Sequence, residues 1–196
     1  IECPDSLPDP SPTLEKFGLK RPFCISSGRI SPGKGYDLIF RCLPKIRSDI
    51  DIVLFGKLEM ELPDDSRLKF LGYLSEEEKL HLNRAAEFSI QPSLYESLSL
   101  TLLESWSMGV PALVNSGSAV LHDHVSQCEG GVSYRDEEDF PCVFDAFAAD
   151  AGARREMGER GREYTRKNYE TRTVARKYID FLNKIIAMRE RRPVSL

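Results

Sequence analysis

The sequence predicts an α/β fold: a doubly wound parallel sheet followed by a C-terminal helical extension. Three observations carry that expectation. Short apolar runs, "PFCISSG", "DIDIVLFG", "FSIQPS" and "VPALVNS", recur along the chain. Segments with helical spacing stand between them, and strands alternating with helices make parallel sheets covered on both faces. From Glu137 onward the pattern is helical only, with room for three helices.

The elements are read in order. The first twelve residues, "IECPDSLPDPSP", hold four prolines, each removing a backbone donor. Residues 1–20 are therefore expected to be an interdomain linker or crossover segment, residues 21–150 the sheet domain, and 151–196 the helical extension. "PFCISSG" is a strand and Lys34 to about Arg47 a helix. "DIDIVLFG" is a β-branched buried strand and "LKFLGYL" a short one. "EEEKLHLNRAA" is a helix opened by Ser75, with Glu78 three residues on forming a capping box. "FSIQPS" is a strand, "LSLTLLESWSM" a helix ended by Gly109, "VPALVNS" a strand, and "GGVSY" a last short one.

Composition bounds the function classes. The 196 residues suffice for one domain with a real core. The hydrophobic and charged fractions, 41% and 30%, are those of an ordinary globular chain. No apolar run approaches the ~20 residues that span a bilayer. The chain begins at Ile1 rather than Met, as a piece of a longer or processed protein would. Five cysteines without C-x-x-C spacing argue against a zinc site and a disulfide framework, so reduced thiols in a cytoplasmic protein are expected. Residues 151–192 carry net +7 within a chain of −4, a charge that suits a solvated helix face or an anionic lipid surface. Nucleic acid is not an expected partner, because no aromatics are interleaved for stacking. His81, His122 and His124 are read as surface or packing residues.

In such sheets ligands bind where strands lead into helices. Two turns of this kind stand out. "GRISPGKG", Gly28 to Gly35, comes close to the phosphate-binding pattern G-x-x-x-x-G-K-[ST], but Gly35 occupies the position of the Mg²⁺-binding hydroxyl. "DIVLFGK" ends without the Asp such an ATPase also needs, and no G-x-G-x-x-G is present. What remains is Arg29 and Lys34, a planar fork and a mobile point charge, both able to face one anion. The second turn is "PSLYESLSLTLLE". Here Glu96 precedes a helix and Glu104 lies about two turns inside it, with free amides near Leu98 to Leu100 between them.

Five segments together, "GRISPGKG", "VLFG", "LKFLG", "PSLYESLSLTLLE" and "MGVP", in this order, resemble the C-terminal half of GT-B glycosyltransferases. The likeness is to the retaining group represented by glycosyltransferase family 4, glycosyl transferases group 1, and runs from about Phe23 to Tyr178. It implies a Rossmann-like donor-binding domain that holds a nucleotide-diphosphate sugar, UDP- or GDP-linked, with no other cofactor and no metal. By position it implies that Gly28, Arg29 and Lys34 meet the diphosphate and that Glu96 approaches the donor sugar. Leu98, Ser99 and Leu100 would offer amides, Glu104 would hold the ribose, and Gly72 and Tyr73 would lie beside the base. It also implies a missing N-terminal acceptor-binding domain, and a role in polysaccharide or glycoconjugate biosynthesis. The setting would be cytoplasmic, with the inner membrane face and a lipid-linked acceptor as open alternatives. A non-catalytic nucleotide-sugar-binding module and a nucleotide-sugar epimerase are the rival readings. The chain departs from the family at Leu98 and Ser99, where Phe-Gly is common, and at Leu58, where a glycine is usual.

Overall fold

The computed structural model describes residues 1–20 and 22–190, so Arg191, taken as the end of the helical run, lies outside the described residues with 192–196. Six strands form one parallel sheet: β1 (Phe23–Ile30), β2 (Asp51–Leu58), β3 (Leu68–Phe70), β4 (Ser89–Gln91), β5 (Ala112–Asn115) and β6 (Gly131–Tyr134). Their spatial order is β3-β2-β1-β4-β5-β6 and every pairing is parallel. The doubly wound sheet expected from the alternation is borne out. The order reverses between β1 and β4, and such a switch point leaves a crevice at the carboxyl ends of the two strands.

Period-two alternation divides the core into layers. Cys24, Ile52 and Leu54 point to one face and meet Tyr36, Ile39, Phe88, Phe140 and Phe144. Their neighbours Phe23, Ile25, Val53 and Phe55 point to the other, against Leu82, Ala85 and Met108. A third cluster, around Trp106, gathers Leu102, Leu103, Val114 and Leu121.

The helices are α1 (Ser11–Phe17), α2 (Tyr36–Cys42), α3 (Glu76–Ala85), α4 (Leu100–Ser107), α5 (Ala119–Cys128), α6 (Phe140–Ala149), α7 (Ala151–Asn168) and α8 (Thr171–Glu190). Several differ from the sequence expectation. The helix expected over Lys34 to Arg47 is broken into α2 and two single-turn 3₁₀ segments, Pro32–Lys34 and Leu43–Lys45. Gly35 is left-handed at one end, and Pro44, without an N–H, ends the regular helix at the other. Within the proline-rich segment α1 forms because Pro12 sits in its first turn, where the missing donor costs nothing. His81 Nδ1, 2.8 Å from Thr13 Oγ1, ties α1 to α3. Helix α5 has no counterpart among the expected elements; Ser118 caps it, accepting from the Leu121 amide. The capping box of α3 is present as read, Ser75 and Glu78 each accepting from the other's backbone.

Candidate functional site

At the switch point lies a cavity of about 430 Å³ bordered by the end of β1, the turn into α2, the end of β4 and the start of α4. Gly28, Arg29, Lys34, Glu96, Leu98, Ser99 and Leu100 all border it. Residues more than 60 positions apart in the chain are thus brought to one opening. Gly28 and Arg29 belong to the strand itself, since β1 continues to Ile30.

Two glycine positions shape this corner. Gly28 stands opposite Gly56 in the β1–β2 register, and a Cβ on Gly56 would come within 2.1 Å of the Gly28 carbonyl oxygen. At Gly35 φ is +82°, and a Cβ would lie 2.3 Å from the Pro92 carbonyl oxygen. The turn after β1 and the turn after β4 therefore touch through backbone, and a side chain at Gly35 would separate them. Beneath them the buried Tyr36 hydroxyl donates to Ser26 Oγ (2.9 Å), and Ser26 donates in turn to the Ile90 carbonyl at 2.7 Å.

The two cations differ. Lys34 Nζ lies 2.8 Å from Glu96 Oε1, with Ser93 Oγ and the Tyr95 carbonyl at 3.5 Å. Arg29 is more than half exposed and only 4.0 Å from Glu59, whose carboxylate is drawn closer, 2.6 Å, to Lys57. Arg29 is therefore free to turn toward an incoming anion, while Lys34 must share itself with Glu96. Among the described residues no group of three His, Cys, Asp or Glu is arranged to hold a metal ion.

Helix α4 opens the far wall. Ser99, its N-cap residue, has φ +60° and ψ +73° and makes no side-chain cap. It is 5% exposed, and its hydroxyl is buried without a partner among the described residues. The amides of Ser99, Leu100 and Thr101 have no acceptor among the described residues, so the positive end of the helix faces the cavity unsatisfied. A left-handed non-glycine residue costs about 1–2 kcal/mol. Replacing Ser99 with Gly removes that strain and the orphaned hydroxyl, against about 0.5–1 kcal/mol of added chain entropy. Ser99→Gly should accordingly be about 1 kcal/mol more stable, a rise of roughly 2–4 °C in thermal denaturation. A lower melting temperature would show that the serine is held by more than its backbone.

Three expected site residues lie elsewhere. Glu104 borders a separate cavity of about 250 Å³ with Lys79, Asn83 and Ser107. Burial raises its carboxyl above the usual range, Lys79 partly opposing this, and among the described residues no hydrogen bond reaches it. Gly72 and Tyr73 do not border the first cavity; the Gly72 carbonyl accepts from Gly56 N–H at 2.8 Å, and Tyr73 is 79% exposed. Sequence reasoning missed Tyr36, Gln91 and Thr101, which also border it. Gln91 is buried and accepts from Thr101 Oγ1 at 2.9 Å. A glutamine at the end of an apolar strand was the available signal.

A family model described as Glycosyl transferases group 1 matches residues 13–164. The chain belongs to the group 1 glycosyl transferases. It is 27% identical over 170 residues to an MMP alpha-(1->4)-mannosyltransferase of Mycolicibacterium hassiacum, covering 80% of this chain and 41% of that protein. Over 123 residues it is 29% identical to a Campylobacter jejuni 4-alpha-N-acetylgalactosaminyltransferase acting on a diphospho-undecaprenol substrate, covering 58% of this chain and 31% of that one. The chain thus spans less than half the length of these curated relatives. HepE of Anabaena, solved with UDP and glucose, superposes with a TM-score of 0.77 at 15% identity, over 90% of this chain and 52% of HepE. A C-terminal domain of a group 1 protein from Francisella tularensis superposes at 0.68 and 14% identity, over 87% of this chain and 96% of its own length. This group 1 glycosyltransferase domain therefore has the C-terminal domain fold of the GT-B relatives.

Proposed function

We infer that this domain binds the nucleotide-sugar donor of a glycosyltransferase whose acceptor-binding N-terminal half is not part of this chain. The observation that carries the reading is the single cavity joining Arg29, Lys34, Glu96 and the unpaired amides of α4. As the glycosidic bond to phosphate breaks, charge grows on the departing diphosphate. Cations and amides already aimed there lower the barrier without any reorganisation. Glu96 stands at the same opening, placed to meet the donor sugar while it orients Lys34. Retention of configuration, with acceptor attack on the face the diphosphate leaves, belongs to this proposal, as does a reaction independent of metal.

The donor would lie along α4. Leu100 borders the diphosphate cavity and Glu104 is one turn further on, i to i+4, about 6 Å along the axis. That spacing suits a ribose beside Glu104 and a base toward Gly72 and Tyr73. The exposed apolar stripe of α8, Val174, Tyr178, Phe181, Leu182 and Ile185, fits contact with the N-terminal half. A peripheral, lipid-linked acceptor at the cytoplasmic membrane face remains part of the proposal. No helix among the described residues is long and apolar enough to cross a membrane.

Calorimetric titration with UDP, GDP and ADP tests the reading, and one of the three should bind saturably. Glu104→Gln should weaken that binding, because the amide forfeits charge-assisted bonds to the ribose hydroxyls. Its folded-state carboxyl is raised, so ionisation opposes folding and stability is lost as pH rises through the carboxylate range. The Gln variant should thus melt above the wild type at pH 7, with the gap closing in acid. No binding by any nucleotide would end the donor reading; unchanged affinity in Glu104→Gln would end the ribose assignment.

A further inference from the structure

A buried histidine on α5, outside the cavity, reaches the backbone just before α4. His124 is 5% exposed and does not border the cavity. Its Nε2 is 3.2 Å from the Leu98 carbonyl oxygen, and its Nδ1 is 3.0 Å from Tyr164 Oη on α7. A carbonyl oxygen only accepts, so Nε2 carries the hydrogen, and in the neutral ring Nδ1 accepts. The Tyr164 hydroxyl, also 3.1 Å from Gln127 Oε1, is the donor shared between these two acceptors. Edge-on contacts with Trp106, Tyr164 and Tyr169 fix the ring plane. Burial pulls the imidazole below its ordinary value, with the Leu98 carbonyl opposing, which favours the neutral tautomer.

The consequence follows from the planarity of the peptide unit. The Leu98 carbonyl and the Ser99 N–H belong to one trans peptide and point in opposite directions. Anchoring the carbonyl inward, on His124, turns the Ser99 N–H outward, to the side on which Leu98 and Ser99 border the cavity. The same anchor steadies the left-handed backbone of Ser99, which no side-chain cap supports. Helices α5 and α7 and the turn that leads into α4 are thereby coupled through one imidazole.

We propose that His124 is a positioning residue that presents the Ser99 amide to the donor's diphosphate. The proposal rests on the donor-site reading above, and inorganic pyrophosphate is the probe, since it is independent of base and sugar. On saturation with pyrophosphate, the Ser99 amide resonance in a ¹H–¹⁵N spectrum of the whole chain should move with those of Leu100 and Thr101. His124→Phe, which keeps a ring against Trp106 but cannot donate, should weaken pyrophosphate binding about five- to tenfold, the worth of one oriented hydrogen bond. His124→Gln, whose amide can still donate to the Leu98 carbonyl, should restore affinity to within about twofold. A merely structural histidine would lower the melting temperature in both variants and leave the Ser99 shift and the affinity of the folded protein alone. Should His124→Phe not fold, the wild-type Ser99 amide and the Gln variant decide. A Ser99 amide that stays fixed while Leu100 and Thr101 move overturns the proposal and leaves the donor site standing. Absence of any pyrophosphate binding overturns both.

Discussion

Gly35→Ser, the substitution that would complete the ATPase-like letters G-x-x-x-x-G-K-S, is expected to damage the protein rather than confer ATP hydrolysis. Its φ of +82° costs a side chain about 1–2 kcal/mol. The Cβ would also meet the Pro92 carbonyl oxygen at 2.3 Å and its carbon at 2.9 Å, and neither backbone atom can swing aside like a side-chain end. Overpacking of this kind adds about 1–3 kcal/mol. A loss near 3 kcal/mol follows, a large share of the ~5–15 kcal/mol that holds a domain folded, and a fall of roughly 6–12 °C in melting temperature. Because the clash lies between the turns after β1 and β4, nucleotide affinity should fall with stability. Gly33→Ser adds the same hydroxyl two residues away, where no atom lies within 4 Å of a Cβ and φ is not positive, and should change stability by less than about 1 kcal/mol. Equal melting temperatures for the two variants would show that the turn yields and that the Pro92 contact sets nothing.

Lys34→Ala should show the opposite profile: near-normal stability and poor binding. The Lys34–Glu96 pair at 2.8 Å is partly exposed on both sides, and pairs so placed are worth about 0–1 kcal/mol to folding. Toward a diphosphate the same ammonium makes charge-assisted bonds worth about 1.5–3 kcal/mol, so affinity for the bound nucleoside diphosphate should drop about 10- to 150-fold. Part of that loss comes from Glu96, left as an unneutralised carboxylate facing the anion. Lys34→Ala combined with Glu96→Gln should therefore bind better than Lys34→Ala alone. Calorimetry on the single and double variants separates the two contributions. Unaltered affinity in Lys34→Ala would remove Lys34 from the diphosphate site.

Features governed by near neighbours in the chain were legible before any coordinates. The alternation of Phe23, Cys24 and Ile25, and of Ile52, Val53, Leu54 and Phe55, announces strands buried on both faces. Ser75 and Glu78 announce a helix start, and Arg29 and Lys34 flank one turn as cations able to face the same anion. Each rests on rules that act over a few residues, such as pleat, capping and donor removal by proline. Where local signals compete, reading fails: four prolines hid α1, and α5 went unread although Ser118 caps it and Gly117 and Gly130 flank it.

What tertiary structure alone decided is set by groups far apart in sequence. The order β3-β2-β1-β4-β5-β6 places the turns after β1 and β4 side by side, and only then is Gly35 indispensable, because Pro92 stands against it. Lys34 meets Glu96, Tyr36 meets Ser26 beneath the Ile90 carbonyl, and Gln91 meets Thr101 by that packing. Glu104, read as the ribose residue, is carried by the phase of α4 toward α3, where it borders a cavity with Lys79 and Asn83. The glycine common at the position of Ser99 hints at its left-handed backbone, but nothing in the letters predicts a histidine 26 residues after Leu98 holding that residue's carbonyl. Propensity describes what a residue prefers by itself; a backbone strained at Ser99 exists only because distant packing from α5 and α7 outweighs that preference.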